Sequence, residues 1–332
     1  MNLQRNKSAG FWVAGVFSAL AVCSAPVHAA EADSWPNRPV RVIVPYAPGN
    51  TGDITLRQIL PQLEERLGVR FLIDNKSGAS GNIGAEEVVR ARPDGYTLLL
   101  GATNNYVINQ HLIKGMRFHP QKDLAPVTVI SNAPSVIVVN ASLPARSLKE
   151  LSALATQSPG KLAFASPGIG TPPHLAAELY KQLAGIDLIH VPYRGSPPAV
   201  QGLIGGETQV YITAFSSVAG NGSAGKLRAL AVASPQRLPI LPDVPTTAQQ
   251  GLPELVTGNW WGLSAPVGTD AKIIQKLAGT IREILADPAV RQKYADLGVT
   301  AVGSTPAEFA AQIAQETAVW KKVIERANIQ AE

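Results

Sequence analysis

Residues 42–53 place a buried strand directly before a loop rich in glycine and proline, after which a helix begins. The strand residues Val42, Ile43 and Val44 are β-branched, which is typical of a strand covered on both faces in a parallel sheet. A helix that begins directly after a strand presents free backbone N–H groups and the positive end of its dipole. The pattern therefore predicts an α/β fold with an anion-binding loop at residues 47–53.

Residues 162–174 repeat this order of strand, glycine-containing loop and helix. Thr171 can cap the helix, and Pro172 stands at its first position, where the missing N–H costs nothing. Glycine permits the backbone conformations that aim several N–H groups at one point. Because neither loop contains an arginine, we expect the two loops to face each other and hold one small carboxylate by hydrogen bonds. The alternative is that both are ordinary turns that bind nothing.

Strands, loops and helices alternate along the chain, which is typical of a sheet built from βαβ units. Residues 126–140 hold two β-rich runs with no helix between them, and residues 255–266 hold a further run of this kind. A chain that crosses from one domain to another and returns has this appearance. We therefore predict one domain from residues 30–130 with 256–332, a second from residues 131–255, and a ligand cleft between them.

Helix limits are marked by residues that cap helices. Gly68 is a typical helix stop, and Thr305 with Glu308 forms a capping box before the last helix. Ser196, followed by a proline, is predicted to cap another helix. Asp53 has two interpretations, as a ligand for an amine or as a helix N-cap, and the cap is favoured.

The first residues resemble a secretory signal peptide. Arg5 and Lys7 precede an apolar run at residues 11–25 and a small-residue cleavage site that ends at Ala29. The run is shorter than the roughly 20 residues that a membrane-spanning helix needs. The one cysteine, Cys23, lies in this segment, so cleavage after Ala29 leaves no thiol, and lipoprotein attachment at Cys23 is the alternative. We expect residues 1–29 to be removed and the chain to reside in a bacterial periplasm.

The composition excludes several classes of function. The chain has 332 residues, 45% of them hydrophobic, and a net charge of +5 with no dense run of lysine and arginine, so no nucleic-acid partner is expected. Residues 78–84 resemble a dinucleotide fingerprint, but Ser80 replaces the glycine that approaches the pyrophosphate. His174 and Glu178 are four residues apart without a second histidine nearby, so no metal site is expected. We predict no cofactor.

Two histidines and three aromatic residues have open roles. His174 is expected to support the second loop by a hydrogen bond or to lie at the edge of the ligand, whereas His190 lies within an apolar strand and is expected to be a core histidine. Tyr46, Trp260 and Trp261 either line an apolar cleft or pack in the core.

Ordered motifs extend along nearly the whole chain that would remain after cleavage. They include VPYAPG at residues 44–49, GNIG at 81–84, RPDGYTL at 92–98, GIGTP at 168–172, LPDVPT at 241–246 and WWGL at 260–263. In these motifs the chain resembles the Bug-type, or TctC-like, extracytoplasmic solute-binding proteins of tripartite tricarboxylate transport systems. The motifs are specific to that family but not to a particular ligand.

The resemblance implies a two-domain periplasmic binding protein of type II, a "Venus flytrap" with mainly parallel sheets flanked by helices. It implies no catalytic activity. The partners would be a small organic carboxylate and the membrane components of a tripartite transporter, and we expect a monomer. The predicted ligand-binding residues are Tyr46, Pro48, Asn50, Thr51, Gly52, Asp53, Ser77, Gly78, Ala79, Thr103, Asn104, Ser166, Gly168, Gly170, Thr171, His174, Tyr193 and Thr213.

Two departures from the family pattern affect the ligand. The usual Gly-Gly-x-Thr/Ser-Asp of the first loop is replaced by residues 49–53, in which Asn50 stands for the second glycine and Gly52 for the hydroxyl residue. Many relatives carry an aspartate where this chain has Thr213. Loss of that negative charge favours anionic ligands over amino-bearing ones.

Alternative functions and ligands stay open at this point. The chain could be a periplasmic sensor that passes the ligand signal to a receptor, or an exported enzyme with Asp53 or His174 as acid or base. Aliphatic di- and tricarboxylates, aromatic carboxylates and neutral analogues all fit the expected architecture.

Overall fold

A computed structural model describes residues 1–2, 34–219 and 225–330. The predicted signal peptide and Cys23 lie outside these residues. Within the described ranges, no helix combines the length and the apolar character that a membrane crossing requires.

Ten strands and ten α-helices make up the described chain. The strands are β1 (Val40–Val44), β2 (Phe71–Asn75), β3 (Thr97–Ala102), β4 (Leu124–Asn140), β5 (Ala163–Ser166), β6 (Ile189–Pro192), β7 (Val210–Ala214), β8 (Leu227–Val232), β9 (Gly258–Pro266) and β10 (Thr300–Ala301). The helices are α1 (Thr51–Leu67), α2 (Asn82–Val89), α3 (Asn109–Leu112), α4 (Pro120–Asp123), α5 (Leu148–Gln157), α6 (Pro172–Ala184), α7 (Ser196–Gly205), α8 (Ala271–Ala286), α9 (Pro288–Asp296) and α10 (Pro306–Arg326). A π-helical stretch, Asn104–Ile108, leads into α3.

The strands form one sheet in the order β2-β1-β3-β9-β4-β7-β5-β6, and β8 and β10 also pair with β4. Strands β2, β1 and β3 are parallel on one side, and β7, β5 and β6 are parallel on the other. The antiparallel strands β4 and β9 lie between these two groups. This α/β architecture confirms the predicted fold class, with the parallel pairing confined to the two outer groups.

Strand β4 connects the two groups. Residues 124–134 pair with β9, and residues 135–139 pair with β7. The two β-rich runs predicted within residues 126–140 are therefore one strand, whose pairing with β9 shifts register twice. Such irregularities bend a strand without ending it. The boundaries of the two predicted domains remain a prediction.

The helix limits confirm some predicted caps and correct others. Gly68 ends α1 in the left-handed conformation, and both hydrogen bonds of the Thr305 capping box are present. The prediction that Asp53 caps α1 was wrong, because the cap is Asn50 and Asp53 lies one turn inside the helix. Ser196 is likewise the first residue of α7, after a cap at Gly195.

A half-buried carboxylate joins α10 to the centre of the sheet. Glu316 accepts hydrogen bonds from the Trp260 indole N–H at 2.9 and 3.0 Å and from the Gln312 amide at 2.8 Å. The Trp260 ring packs against Tyr106 and Phe309. Burial raises the pKa of Glu316 although these donors stabilise its charged form.

We expect Glu316→Gln to become more stable relative to the unmodified chain as the pH rises. The raised pKa of Glu316 contributes stability that is present below the unfolded-state pKa and is lost as the pH rises through the folded-state pKa. Glutamine keeps an acceptor for Trp260 and does not ionise. Urea unfolding between about pH 4 and about pH 8 measures the difference in the free energy of unfolding. The control is Glu325→Gln on the exposed face of α10. Parallel pH curves for the unmodified chain and both variants would contradict the prediction.

Candidate functional site

A cavity of about 440 Å³ lies between the loops that follow β1 and β3 and the loops that follow β5 and β7. Its position at the carboxyl ends of parallel strands is where open α/β sheets bind ligands. Its volume suits a small organic molecule. The predicted site residues that line it are Tyr46, Asn50, Thr51, Asn104, Gly170, Thr171 and Thr213.

The electrostatics of the cavity come from backbone dipoles. Among the described residues, none that lines it is an aspartate, glutamate, lysine, arginine or histidine. Three helix N-termini reach it, with Thr51 at the start of α1, Pro172 at the start of α6 and Ser196 at the start of α7. Each terminus has roughly half a positive charge. Residues 172–173 of α6 and 197–198 of α7 are prolines without an N–H group, so the free N–H donors are concentrated at α1. The cavity therefore favours an anion without offering it an ion pair.

The first loop is held in shape by its own polar side chains. The Asn50 side chain accepts the Asp53 N–H at 3.0 Å, and its amide donates to the Ala47 carbonyl at 2.8 Å. The buried Asp53 carboxylate accepts the Gly49 N–H at 3.0 Å and pairs with Arg57. Burial opposes its charge, but these hydrogen bonds outweigh burial and lower the pKa of Asp53. Asp53 thus supports the loop from behind and does not line the cavity.

Trp261 explains the glycine at residue 52. The six-membered part of its indole lies so close to Gly52 that any side chain there would collide with it. Tyr46 contacts the same indole edge-on, with ring centroids 5.3 Å apart. Two buried polar atoms of cavity-lining residues, the Trp261 Nε1 and the Asn259 Oδ1, have no hydrogen-bond partner within the described chain. Such atoms are costly to bury unless something pairs with them.

A strained turn before α2 forms another wall. Ala79 and Ser80 have φ values of +46° and +53°, which cost of order 1–3 kcal/mol each in residues other than glycine. The Ser80 carbonyl accepts amide hydrogens from Asn104, Asn105 and Asn109 at 2.9, 3.2 and 3.0 Å. These hydrogen bonds stabilise the turn in its unusual conformation. Ser80 and Asn109 line the cavity, whereas the predicted residues Ser77, Gly78 and Ala79 do not.

The second loop, residues 166–171, is also held by side chains. The Thr171 hydroxyl donates to the Gly168 carbonyl at 2.6 Å, so it does not make the capping bond that was predicted for it. The Gly170 N–H donates to His174 Nδ1 at 3.0 Å. Of the two roles predicted for His174, the structure therefore shows the support of the loop by a hydrogen bond. Ser166 is fully buried and hydrogen-bonds His190 at 2.7 Å.

The remaining predicted residues do not line the cavity. Pro48 is exposed in the first loop, and Gly168 is half-buried within the second. Thr103 is buried, and its hydroxyl accepts the Trp260 N–H at 2.9 Å. The Tyr193 hydroxyl donates to Glu207 at 2.9 Å, and its ring packs against Gly202.

Several polar cavity residues escaped the sequence analysis. They are Asn109, Ser135, Ser196, Ser216, Ser217 and Asn259. Ser196 had a detectable signal, because its serine-proline pair marks a helix start after a strand, as in the two predicted loops. Ser135 and Asn259 lie on long strands without a glycine loop, and only the fold brings them to the cavity.

Comparison with known proteins places the chain in one family. The model of the "Tripartite tricarboxylate transporter family receptor" matches residues 55–329. The chain is 37% identical over 313 residues to "Protein BugT" of Bordetella pertussis (strain Tohama I), covering 94% of this chain and 95% of BugT.

Two solved structures are similar over most of the chain. An R. palustris protein solved with adipate is 34% identical with a TM-score of 0.75, and the match covers 89% of this chain and 99% of that one. MatC from Rhodopseudomonas palustris with bound malate is 30% identical with a TM-score of 0.71, and the match covers 87% of this chain and 100% of MatC. The chain therefore belongs to the tripartite tricarboxylate transporter receptor family, and it is a periplasmic solute-binding protein rather than an enzyme.

Proposed function

We propose that this protein captures a small organic carboxylate in the cavity and delivers it to the membrane components of a tripartite tricarboxylate-type transporter. One observation carries the proposal: three helix N-termini reach a cavity in which no lining residue that the structure describes has a charged side chain. Dipoles of this kind stabilise a carboxylate and offer nothing to a cation. The adipate and malate in the two similar structures support the same class of ligand.

In this proposal the carboxylate lies against the first turn of α1. The N–H groups of Thr51 and Gly52 precede the first intrahelical bonds and are free to donate. The hydroxyls of Thr171 and Ser196 lie on the opposite wall, after β5 and β6 respectively. The two walls would come from two domains, residues 30–130 with 256–332 and residues 131–255, that close about the crossings in β4 and β9. Closure excludes water and strengthens each hydrogen bond.

Thr213 affects which class of anion the cavity binds. It is buried at the end of β7 and lines the cavity. A ligand that carries an ammonium group would find no carboxylate among the lining residues to balance that charge. The proposed ligand is therefore a carboxylate without an amino group. Export of a chain cleaved near Ala29, and action as a monomer, belong to the same proposal.

We expect carboxylates to stabilise the chain from residue 30 onward in a thermal-shift screen. A ligand that binds only the folded state adds about 2.7 kcal/mol at a hundredfold excess over its Kd. Matched pairs such as succinate and aspartate differ only in the amino group, and the deaminated member should give the larger shift. A strong shift with aspartate and none with succinate would contradict the proposed ligand class.

Thr213→Asp should weaken binding of the best carboxylate from that screen. The new charge repels the ligand in a buried site, and a tenfold to hundredfold increase in Kd corresponds to about 1.4–2.7 kcal/mol. Titration calorimetry measures Kd, and Thr213→Asn serves as the control because it is polar and uncharged. Equal affinities for the two variants would show that the ligand charge lies elsewhere.

Delivery to a transporter is tested by uptake in cells. Deletion of the gene should abolish uptake of the radiolabelled ligand at concentrations near its Kd, and a plasmid copy should restore uptake. Wild-type uptake in the deletion strain would contradict delivery while leaving binding intact, as expected of a sensor.

A further inference from the structure

One pair of stacked histidines holds the second loop, residues 166–171, at both of its ends. At the start of the loop, the Ser166 hydroxyl lies 2.7 Å from His190 Nε2. At its end, the Gly170 N–H donates to His174 Nδ1 at 3.0 Å. The two imidazoles are nearly parallel, with an interplanar angle of 9° and ring centroids 3.8 Å apart. Displacing either ring would therefore move the loop.

The stack is itself fixed by packing. Phe164 lies against His190 with ring centroids 4.8 Å apart and an angle of 15°. His174 is 4% exposed, so its ring cannot turn toward solvent without disrupting the core. Because Nδ1 of His174 accepts a hydrogen bond, the proton of the neutral ring is on Nε2.

The end of the loop forms a contact across the cavity. Gly170 has φ of +72°, and a Cβ atom at this position would lie 2.5 Å from the Leu112 side chain. Leu112 belongs to α3, which follows the first parallel group, whereas Gly170 follows β5 in the second group. Both residues line the cavity. The position of Gly170 therefore decides how closely the two walls approach.

We propose that His174 is a positioning residue for ligand binding, whose neutral imidazole fixes Gly170 against Leu112 and, with His190 and Ser166, holds the second loop in its binding shape. The proposal rests on the proposed function for its effect on the ligand. Its effect on the loop stands independently, because the hydrogen bonds exist within the chain alone.

Burial and the Lys181 charge favour the neutral ring, whereas the Glu178 carboxylate acts in the opposite sense. Lys181 lies 3.0 Å from Glu178, and both belong to α6, while Nε2 of His174 is 4.0 Å from Glu178. A proton on Nδ1 would remove the acceptor for Gly170 and place a buried cation beside His190 and Lys181. Burial, followed by these neighbours, lowers the pKa of His174 to about 3, and burial lowers that of His190 to about 4. The loop is therefore held throughout the neutral and mildly acidic range.

Two variants separate the hydrogen bond from the bulk of the side chain. His174→Asn places an oxygen close to the position of Nδ1 and keeps the acceptor, whereas His174→Leu fills the space without one. Hydrogen exchange of the ligand-free protein, followed by mass spectrometry, measures opening of residues 166–171. We expect exchange of this segment to rise about tenfold in His174→Leu, because the half-buried Gly170 N–H loses its acceptor, and to return toward the wild-type rate in His174→Asn. Unchanged exchange in the leucine variant, or equal exchange in both variants, would overturn the proposal.

Binding of malate and adipate, measured by calorimetry, tests the effect on the ligand. If either binds the unmodified protein, the leucine variant should lose about tenfold in affinity and the asparagine variant should retain most of it. Equal affinities in the two variants would overturn the positioning role. If neither probe binds the unmodified protein, the proposed ligand class is called into question, and the exchange result alone decides whether His174 holds the loop.

Discussion

In the proposed function, the site depends on recognising a negative charge with no positive side chain among the described lining residues. A lysine or arginine could reach the ligand from many backbone positions, but a helix terminus acts only within its first turn. The starts of α1, α6 and α7 must therefore all point at one place. The order of the sheet meets this requirement, because its two parallel groups present their carboxyl ends to the cavity with β4 and β9 between them.

A site of this kind requires loops that keep a single conformation. Backbone N–H groups aim correctly only if the loop has one conformation, and each loop here is fixed by buried side chains behind it. Asp53 holds the first loop through Gly49, the asparagines hold the turn at Ser80, and His174 holds the second loop through Gly170. These groups are buried or hydrogen-bonded to other protein groups. Their role is therefore structural, although they lie beside the proposed ligand site.

Local patterns predicted the elements well and their exact ends less well. The apolar spacing of α1 and the capping box at Thr305 depend on residues within a few positions of each other, so sequence alone carries the information. Asn50 and Asp53 are both good caps and lie three residues apart. Asp53 has a different role, because its carboxylate accepts the Gly49 N–H and pairs with Arg57. These contacts decide the choice between the two caps. The residues of the cavity walls were harder still to predict. Trp261, for example, lies against Gly52 although the two are more than two hundred positions apart in the sequence.

In the proposed function, recognition by backbone dipoles rather than charged side chains also suits a protein that must release its ligand. A buried ion pair that loses one partner leaves an uncompensated charge. A cavity built from dipoles avoids that cost, since its N–H groups regain water as the walls separate. The contact between Gly170 and Leu112 joins the two walls of the cavity in this structure. A loop held by an uncharged histidine pair keeps that contact independent of pH over the range in which both imidazoles stay neutral.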